Sequence, residues 1–345
     1  MSSSANLLTT PPGSLGAQRA ERGAAMRSGV FMGRPAAAAG AAELPAPSHE
    51  RSQLGVIWDK FVLHRPAAVS LAVMAAILLA CIVLPWVLPW GANEFDYDLL
   101  TAAPPSASHP LGTDKLGRDV LARLASAGRI SLLIGFAVAL LSATAGAVVG
   151  TIQGYFGGAV DSRIGWIVNI LMTIPSLPLL IALSSVATSE GSRAGDLLRA
   201  VPVQWRIIAI MSLLGWMAIS RVVRSQVIAL RKREFVEASI ALGATHRRVM
   251  AVHILPNTVS VLAVFTTLAV SAAIMGESTL SFLGLGVSLP TATWGNMLLD
   301  ARDVFTAVEY WWLTWIPAVM ILVTVLCVNF IGDGLRDAFD PNTRR

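Results

Sequence analysis

The chain has 345 residues, 54% of them hydrophobic and 14% charged, where an average soluble domain carries roughly 25% charged residues. Length alone would allow two or three soluble domains. The apolar residues, however, fall in runs near the 20 or so residues that a spanning helix needs, which argues against a large soluble α-protein and for the bilayer. The formal charge of +5 needs no nucleic-acid partner, because it follows from the loop bias described below.

In chain order, residues 1–58 come first and are rich in Ala, Gly, Ser and Pro. They cannot bury enough apolar surface to order themselves, so a disordered cytoplasmic tail is expected. No apolar core of about 7 to 15 residues stands near the start, so no cleavable signal is expected and the first span serves as its own insertion signal. "QLGVIWDKFVLHRP", 53–66, is mildly amphipathic and reads either as a helix along the inner membrane surface or as a plain linker. Six spans are predicted, at about 66–90, 130–156, 164–187, 207–220, 258–276 and 311–332. The fourth is the weakest, reaching spanning length only by taking in Trp205, Arg206 or Arg221. The expected division is a tail (1–58), a first span with an extracytoplasmic loop and helix (59–129), and a core (130–345).

Lys and Arg favour cytoplasmic loops. With six spans both termini share a side, and that side holds 18 Lys and Arg against 8 on the other. Both termini are therefore expected in the cytoplasm. On the outer side, "HPLGTDKLGRDVLARLASAGRIS", 109–131, has turn-forming glycines. Val120, Leu121, Leu124 and Ile130 then follow at helical spacing, predicting a short amphipathic helix at the outer interface. "ESTLSFLGLGVSLPTATWGNMLLDARDV", 277–304, is dense in Gly, Pro and Trp. It reads as a re-entrant loop or folded cap, permitted at membrane depth only where protein or a water-filled cavity covers it, or as an ordinary interfacial loop.

Catalytic and metal motifs are missing. Cys81 and Cys327 fall inside spans, and the five histidines form no pair on one apolar helix face. There is no H-E-x-x-H, G-x-S-x-G or G-x-x-x-x-G-K-[ST], and Lys60, Lys115 and Lys232 follow no phosphate-loop glycines. No cofactor is expected on this chain, and no ATP hydrolysis. Asn169 and Asn329 are the main polar side chains in mid-span, with inter-helix hydrogen bonding as their expected task, and Glu277 marks the outer end of span five. A proton- or sodium-driven carrier usually needs a buried relay of carboxylates or histidines. None is legible, so the driving energy is expected to arrive from another chain.

The densest basic cluster, seven residues from Arg221 to Arg248, surrounds "EFVEASIALGATHRRVMAVHILPN". Phe235, Ala238 and Leu242 share a helical face, joined by Val236 and Ile240, with Glu234 and Glu237 opposite. Gly243 stands where a left-handed residue ends a helix, and Thr245 can cap the next. Pro256 is expected to kink or end that second helix before span five. The resulting elbow is either a basic loop facing lipid headgroups or a docking element whose small residues, Ala238, Ser239, Ala241 and Gly243, fit a partner's groove.

These residues resemble the EAA loop of binding-protein-dependent ABC import permeases, whose pattern is E-A-A, three residues, G, nine residues, then I-x-L-P. Glu237, Ala238, Gly243, Ile254 and Pro256 match; Ser239 replaces the second Ala; and Leu255 directly follows Ile254, contracting the last element to I-L-P. "HPLGTDKLGRDVLARL", "AGRISL", "GYFGGAVD", "SFLGLGV" with "TWGNML", and "GDGLRDAFDP" are similar to the C-type permease of dipeptide and oligopeptide importers, over about residues 60–345. The resemblance implies an all-α polytopic membrane protein with six transmembrane helices in the type I ABC importer permease fold, in a bacterial inner membrane. It implies a homologous B-type permease, two cytoplasmic ATPase subunits that bind the ATP and Mg2+, an extracytoplasmic binding protein and a peptide-like substrate. Coupling to the ATPase would run through Glu237, Ala238, Ser239, Gly243, Ala244, Ile254, Leu255 and Pro256. Asp114, Gly117, Arg118, Asp119, Gly284, Gly286, Trp294 and Gly295 would belong to the binding-protein or gate loops. A channel or secondary carrier working without an ATPase, and a membrane scaffold that transports nothing, remain as alternatives.

Overall fold

A computed structural model of the chain describes residues 53–99, 101–188, 201–302 and 308–339. The expected tail therefore lies outside the described residues except for its last few positions. Among the described residues the regular structure is helical, with one isolated bridge between Thr113 and Asp119. Five helices among the described residues are long and apolar enough to cross a membrane, and a bent pair makes six if it counts as one span.

Residues 53–66 do not form a plain linker. Helix α1 (Gln53–Leu63) runs to a bend at His64, whose ring accepts the Ala67 N–H at 3.3 Å and caps α2 (Arg65–Val87). Phe61 of α1 packs on Ala67 and on Ala338 of the last helix described, Trp311–Phe339. Within α2, Pro85 lacks the N–H that would satisfy the Cys81 carbonyl four residues back. Arg129 of the next helix repairs this, donating to the Cys81 and Ile82 carbonyls at 2.6 Å each.

Helix α3 (Val120–Phe156) has 37 residues and is about 55 Å long at 1.5 Å per residue. The expected interfacial helix at 118–131 is its opening stretch, and the proposed division at 129/130 runs through the middle of a helix. Val120, Ala127 and Ser131 are buried there, because other elements cover this end of α3. Further along, α3 meets α6 (Val203–Arg231) so closely that a Cβ at Gly150 would stand 2.5 Å from the Ser220 carbonyl. Small residues let the two backbones approach in this way, which is how helices associate where no water drives them together.

The third span is not continuous. Helix α4 (Gly158–Thr173) and α5 (Ser176–Thr188) are bent by 87° at the break between them. Pro175 is the cause: it forces Ile174 into an extended conformation (φ −79°, ψ 126°), which stops α4. The predicted fourth span, by contrast, extends at both ends into the 29 residues of α6 and carries Arg206, Arg221 and Arg224 within the helix.

After the short α7 (Glu234–Ala241), α8 runs from His246 to Phe282 without a stop. The end expected at Pro256 is absent: the helix continues through it, and residues Val249–Ile254 form a π turn just before it. The Leu255 N–H donates to the Met250 carbonyl five residues back, and this wider turn makes room for the proline. Past α8 come α9 (Trp294–Met297), a 3-10 turn (Leu298–Arg302) and α10 (Trp311–Phe339). Asn329 of α10 accepts from Ser271 of α8 at 2.8 Å, and Asn169 of α4 accepts from Arg221 of α6 at 2.6 Å. Both asparagines thus make the inter-helix bonds expected of them. The core is shared by Cys81, Leu132, Ala139, Ile274, Trp294 and Val328. Leu79, Ile82, Trp86, Leu140, Trp166, Leu213 and Leu322 stay exposed on the spans, where a bilayer or a partner helix is their natural environment.

Candidate functional site

At the C-terminal end of α3 lies the elbow. Its first arm, α7, closes with a paired turn: Gly243 N–H donates to the Ile240 carbonyl at 2.9 Å, and Ala244 N–H to the Ser239 carbonyl at 3.1 Å. This is the double bond set of a Schellman motif, and Gly243 takes the left-handed position it requires (φ +83°). Thr245 then caps α8, its hydroxyl accepting the Arg248 N–H. The second arm is therefore the start of span five itself, not a separate helix.

Two valines root the elbow. Val236 of α7 and Val249 of α8 are both fully buried with Val223 and Val227 of α6, Tyr155 of α3 and Ile254. Tyr155 Oη and His246 Nδ1 lie 2.8 Å apart, tying the end of α3 to the start of α8. Of the apolar face drawn by helical spacing, Val236 alone is buried and forms the anchor. Phe235, Ile240 and Leu242 point outward, and Leu242 is 88% exposed. Glu237, Ala238 and Gly243 are exposed as well, Ser239 and Ala244 half-buried. No atom lies within 4 Å of where a Gly243 Cβ would stand, so the turn is open in this chain. Of the remaining elbow residues, Ile254 is buried in the root, Leu255 half-buried and Pro256 exposed.

The N-terminal end of α3 carries the other group of predicted residues. Asp119 caps α3 through the Ala122 N–H at 2.7 Å, and its second oxygen lies 2.8 Å from His109 Nδ1. His109 also approaches Asp96 at 3.3 Å and stacks near Trp90. Asp114 accepts from the backbone N–H groups of Leu116 and Arg118 and from Arg118 Nε at 2.7 Å. Gly117 has φ +73° and sits against the carbonyls of Leu99 and Asp96. Asp114, Arg118 and Asp119 are all buried, so they build the loop, while Leu116 (54% exposed) is what it shows to the outside.

Residues 283–302 fold back as a cap, so of the two expectations for this segment the covered form holds over the ordinary loop. Trp294 is fully buried, its Nε1–H donating to the Leu124 carbonyl at 3.1 Å and its backbone N–H to Ser131 Oγ at 3.1 Å. Thr293 and Asn296 cap each other's backbone at the start of α9. A Cβ at Gly295 would come within 2.5 Å of Ser278 Cα, which holds α9 hard against α8. Gly284 ends α8 at φ +79°, and Gly286 lies against Ser281. Beneath the cap, Glu277 is not an exposed end-marker: it is fully buried, accepting from Ser281 Oγ at 2.6 Å and Ser131 Oγ at 3.3 Å. Ser281, one turn on, was the available signal that this carboxylate turns inward. The cap and the 114–118 loop face each other across a cleft lined by Lys115, Leu116, Leu289, Met297 and Leu299.

Residues 146–345 match the model of a family described as the binding-protein-dependent transport system inner membrane component, and residues 52–105 match that of the N-terminal transmembrane domain of oligopeptide transport permease C. The chain belongs to this inner-membrane component family. Its relatives include the oligopeptide transport system permease protein OppC of Mycobacterium tuberculosis, 36% identical over 285 residues, which is 83% of this chain and 93% of the relative. OppC of Haemophilus influenzae is 37% identical over 286 residues, 83% and 87% of the two chains. A Brucella suis protein, provisionally named as a peptide permease, is 38% identical over 283 residues, 82% and 89%. The elbow lies within the matched inner-membrane component region, and helices α1 and α2 lie within the matched N-terminal domain.

The elbow is in full register with the family pattern. Nine residues after Gly243 lead to His253, so Leu255 and Pro256 are already in step with I-x-L-P. His253 stands for the pattern's Ile and Ile254 takes its free position; nothing is contracted. The polar pair that links α4 to α6 escaped the sequence reading altogether: Arg224 Nε and Nη2 each lie 2.5 Å from an Asp161 oxygen.

Proposed function

We propose that this chain is the C-type permease half of an ATP-driven peptide importer of a bacterial inner membrane, coupled to its energy source through the elbow. Six spans with both termini in the cytoplasm suit the Lys and Arg bias, the bent pair α4–α5 counting as the third span. A homologous B-type permease would complete the pathway, two cytoplasmic ATPase subunits would bind ATP and Mg2+, and an extracytoplasmic binding protein would bring a peptide-like solute to the capped end. The chain itself would hold no cofactor and catalyse nothing.

The observation that carries this reading is the form of α7. It is rooted at two buried valines, yet it shows Phe235, Ala238, Ile240 and Leu242 to the outside at the end of α3 opposite the cap. An exposed apolar helix beside basic residues is a surface shaped for a protein groove. Its rigid Schellman turn suits it to transmit motion, because packed elements switch between discrete arrangements and do not flex continuously. The relatives named as oligopeptide permeases supply the substrate class.

The test is reconstitution of the chain with its co-expressed permease, ATPases and binding protein in proteoliposomes. Peptide uptake that needs ATP and is lost without the ATPase subunits is the expected result. Uptake that persists without them would make the chain a channel or carrier. ATPase binding with no solute-stimulated turnover would make it a scaffold.

A further inference from the structure

Helix α4 is held unlike every other spanning segment among the described residues. Of its sixteen residues only Val168 is buried. Its start is the glycine pair Gly157 (φ +66°) and Gly158 (φ +49°), conformations that glycine enters at no steric cost. Its end is the 87° break at Pro175. What fixes α4 in place is polar: Asp161 takes both Nε and Nη2 of Arg224, Asn169 takes Nη2 of Arg221, and Gln153 of α3 donates to the Asp161 carbonyl at 3.2 Å. These groups line a cavity of about 520 Å³ between α3, α4 and α6, whose walls include two guanidiniums and one carboxylate.

We propose that α4 is a hinged gate, latched over this polar cavity by Arg224 and Arg221, and that displacement of the elbow releases it. This rests on the importer reading above. The route is short and continuous. Val236 of the elbow packs with Val227 of α6, and Val227 lies one turn beyond Arg224. Helix α6 is locked to α3 by backbone approach, so it moves as a packed unit; α4 hangs on directional bonds that break and re-form. A bidentate Arg–carboxylate pair is strong only at one geometry, so a small shift or rotation of α6 opens it. The cavity then presents charged donors and an acceptor, with Gln153, Ser162 and Asn169 beside them, to a hydrophilic solute.

The experiment uses the complete complex with Cys81 and Cys327 replaced by Ala and a reporter thiol from Val168→Cys. A membrane-impermeant maleimide is applied from the elbow side. ATP is expected to raise the labelling rate. Asp161→Asn is expected to raise it about tenfold without ATP, the scale of one charge-assisted bond, and to abolish the ATP response. Exchanging the charges (Asp161→Arg with Arg224→Asp) is expected to bring labelling back to within about twofold of the parent, which loss of structure would not do. Should Asp161→Asn assemble poorly, Asn169→Ala keeps the ion pair and is expected to act in the same direction at smaller size. Labelling unchanged by both variants, or no recovery in an exchanged complex that assembles, overturns the latch. If no ATPase binds the chain at all, the importer reading fails, while the labelling measured without ATP still decides whether α4 is latched.

Discussion

Replacing Gly243 separates what the elbow costs to build from what it does. At φ +83° a side chain pays the left-handed penalty, about 1–2 kcal/mol, for any ordinary residue. Space adds nothing in this chain, since no atom lies within 4 Å of the new Cβ. Gly243→Ala should therefore lower the stability of the isolated permease by about that amount, and Gly243→Asp by no more, since Asp tolerates the left-handed region better than Ala, read from thermal unfolding in detergent. The two must diverge in the complex. If the turn sits in an ATPase groove, Asp takes an unpaired charge out of water, a penalty of several kcal/mol. At 1.4 kcal/mol per factor of ten, that is a loss of about 100-fold or more in ATPase affinity beyond the loss in Ala. Copurification of the ATPases and the ratio of uptake to ATP hydrolysis read it directly. Ala and Asp variants that keep the same uptake to within about twofold would refute the groove, and with it the coupling role of the turn.

Leu242→Glu is expected to spare folding, since Leu242 is exposed, but to weaken ATPase copurification about tenfold or more, because a hot-spot contact is worth about 2 kcal/mol or more. Arg129→Gln should cost about 1–3 kcal/mol by stranding the Cys81 carbonyl that Pro85 leaves open, a loss visible as a lower detergent melting temperature. Trp294→Ala should cost about 3–5 kcal/mol and free the cap, which limited proteolysis of residues 283–302 would detect, with ATPase binding at the far elbow unchanged.

The spans were legible because the bilayer imposes a length and a composition that any apolar run of about 20 residues displays. The elbow's turn was legible too, since Gly243 and Thr245 act through their own backbone geometry. What stayed hidden depends on partners distant in the chain. Pro256 obeys the local rule for a helix breaker, yet a π turn six residues long absorbs it, because His246 and Val249 are already fastened to Tyr155 and the valine cluster. Pro175 obeys the same rule and does break its helix, because Ile174 on one side and Ser176 on the other have no buried anchor to hold them straight. Proline alone therefore does not decide a break; the packing on either side does. The charged residues follow the same logic. Arg129, Asp161 and Glu277 each bond to a group between 48 and 146 residues away in the chain. In a chain with so few charges, those turned inward are the places where polar bonds must hold what apolar packing leaves loose. Helix α4, with one buried side chain and an ion pair to α6, is where that division of labour is most lopsided.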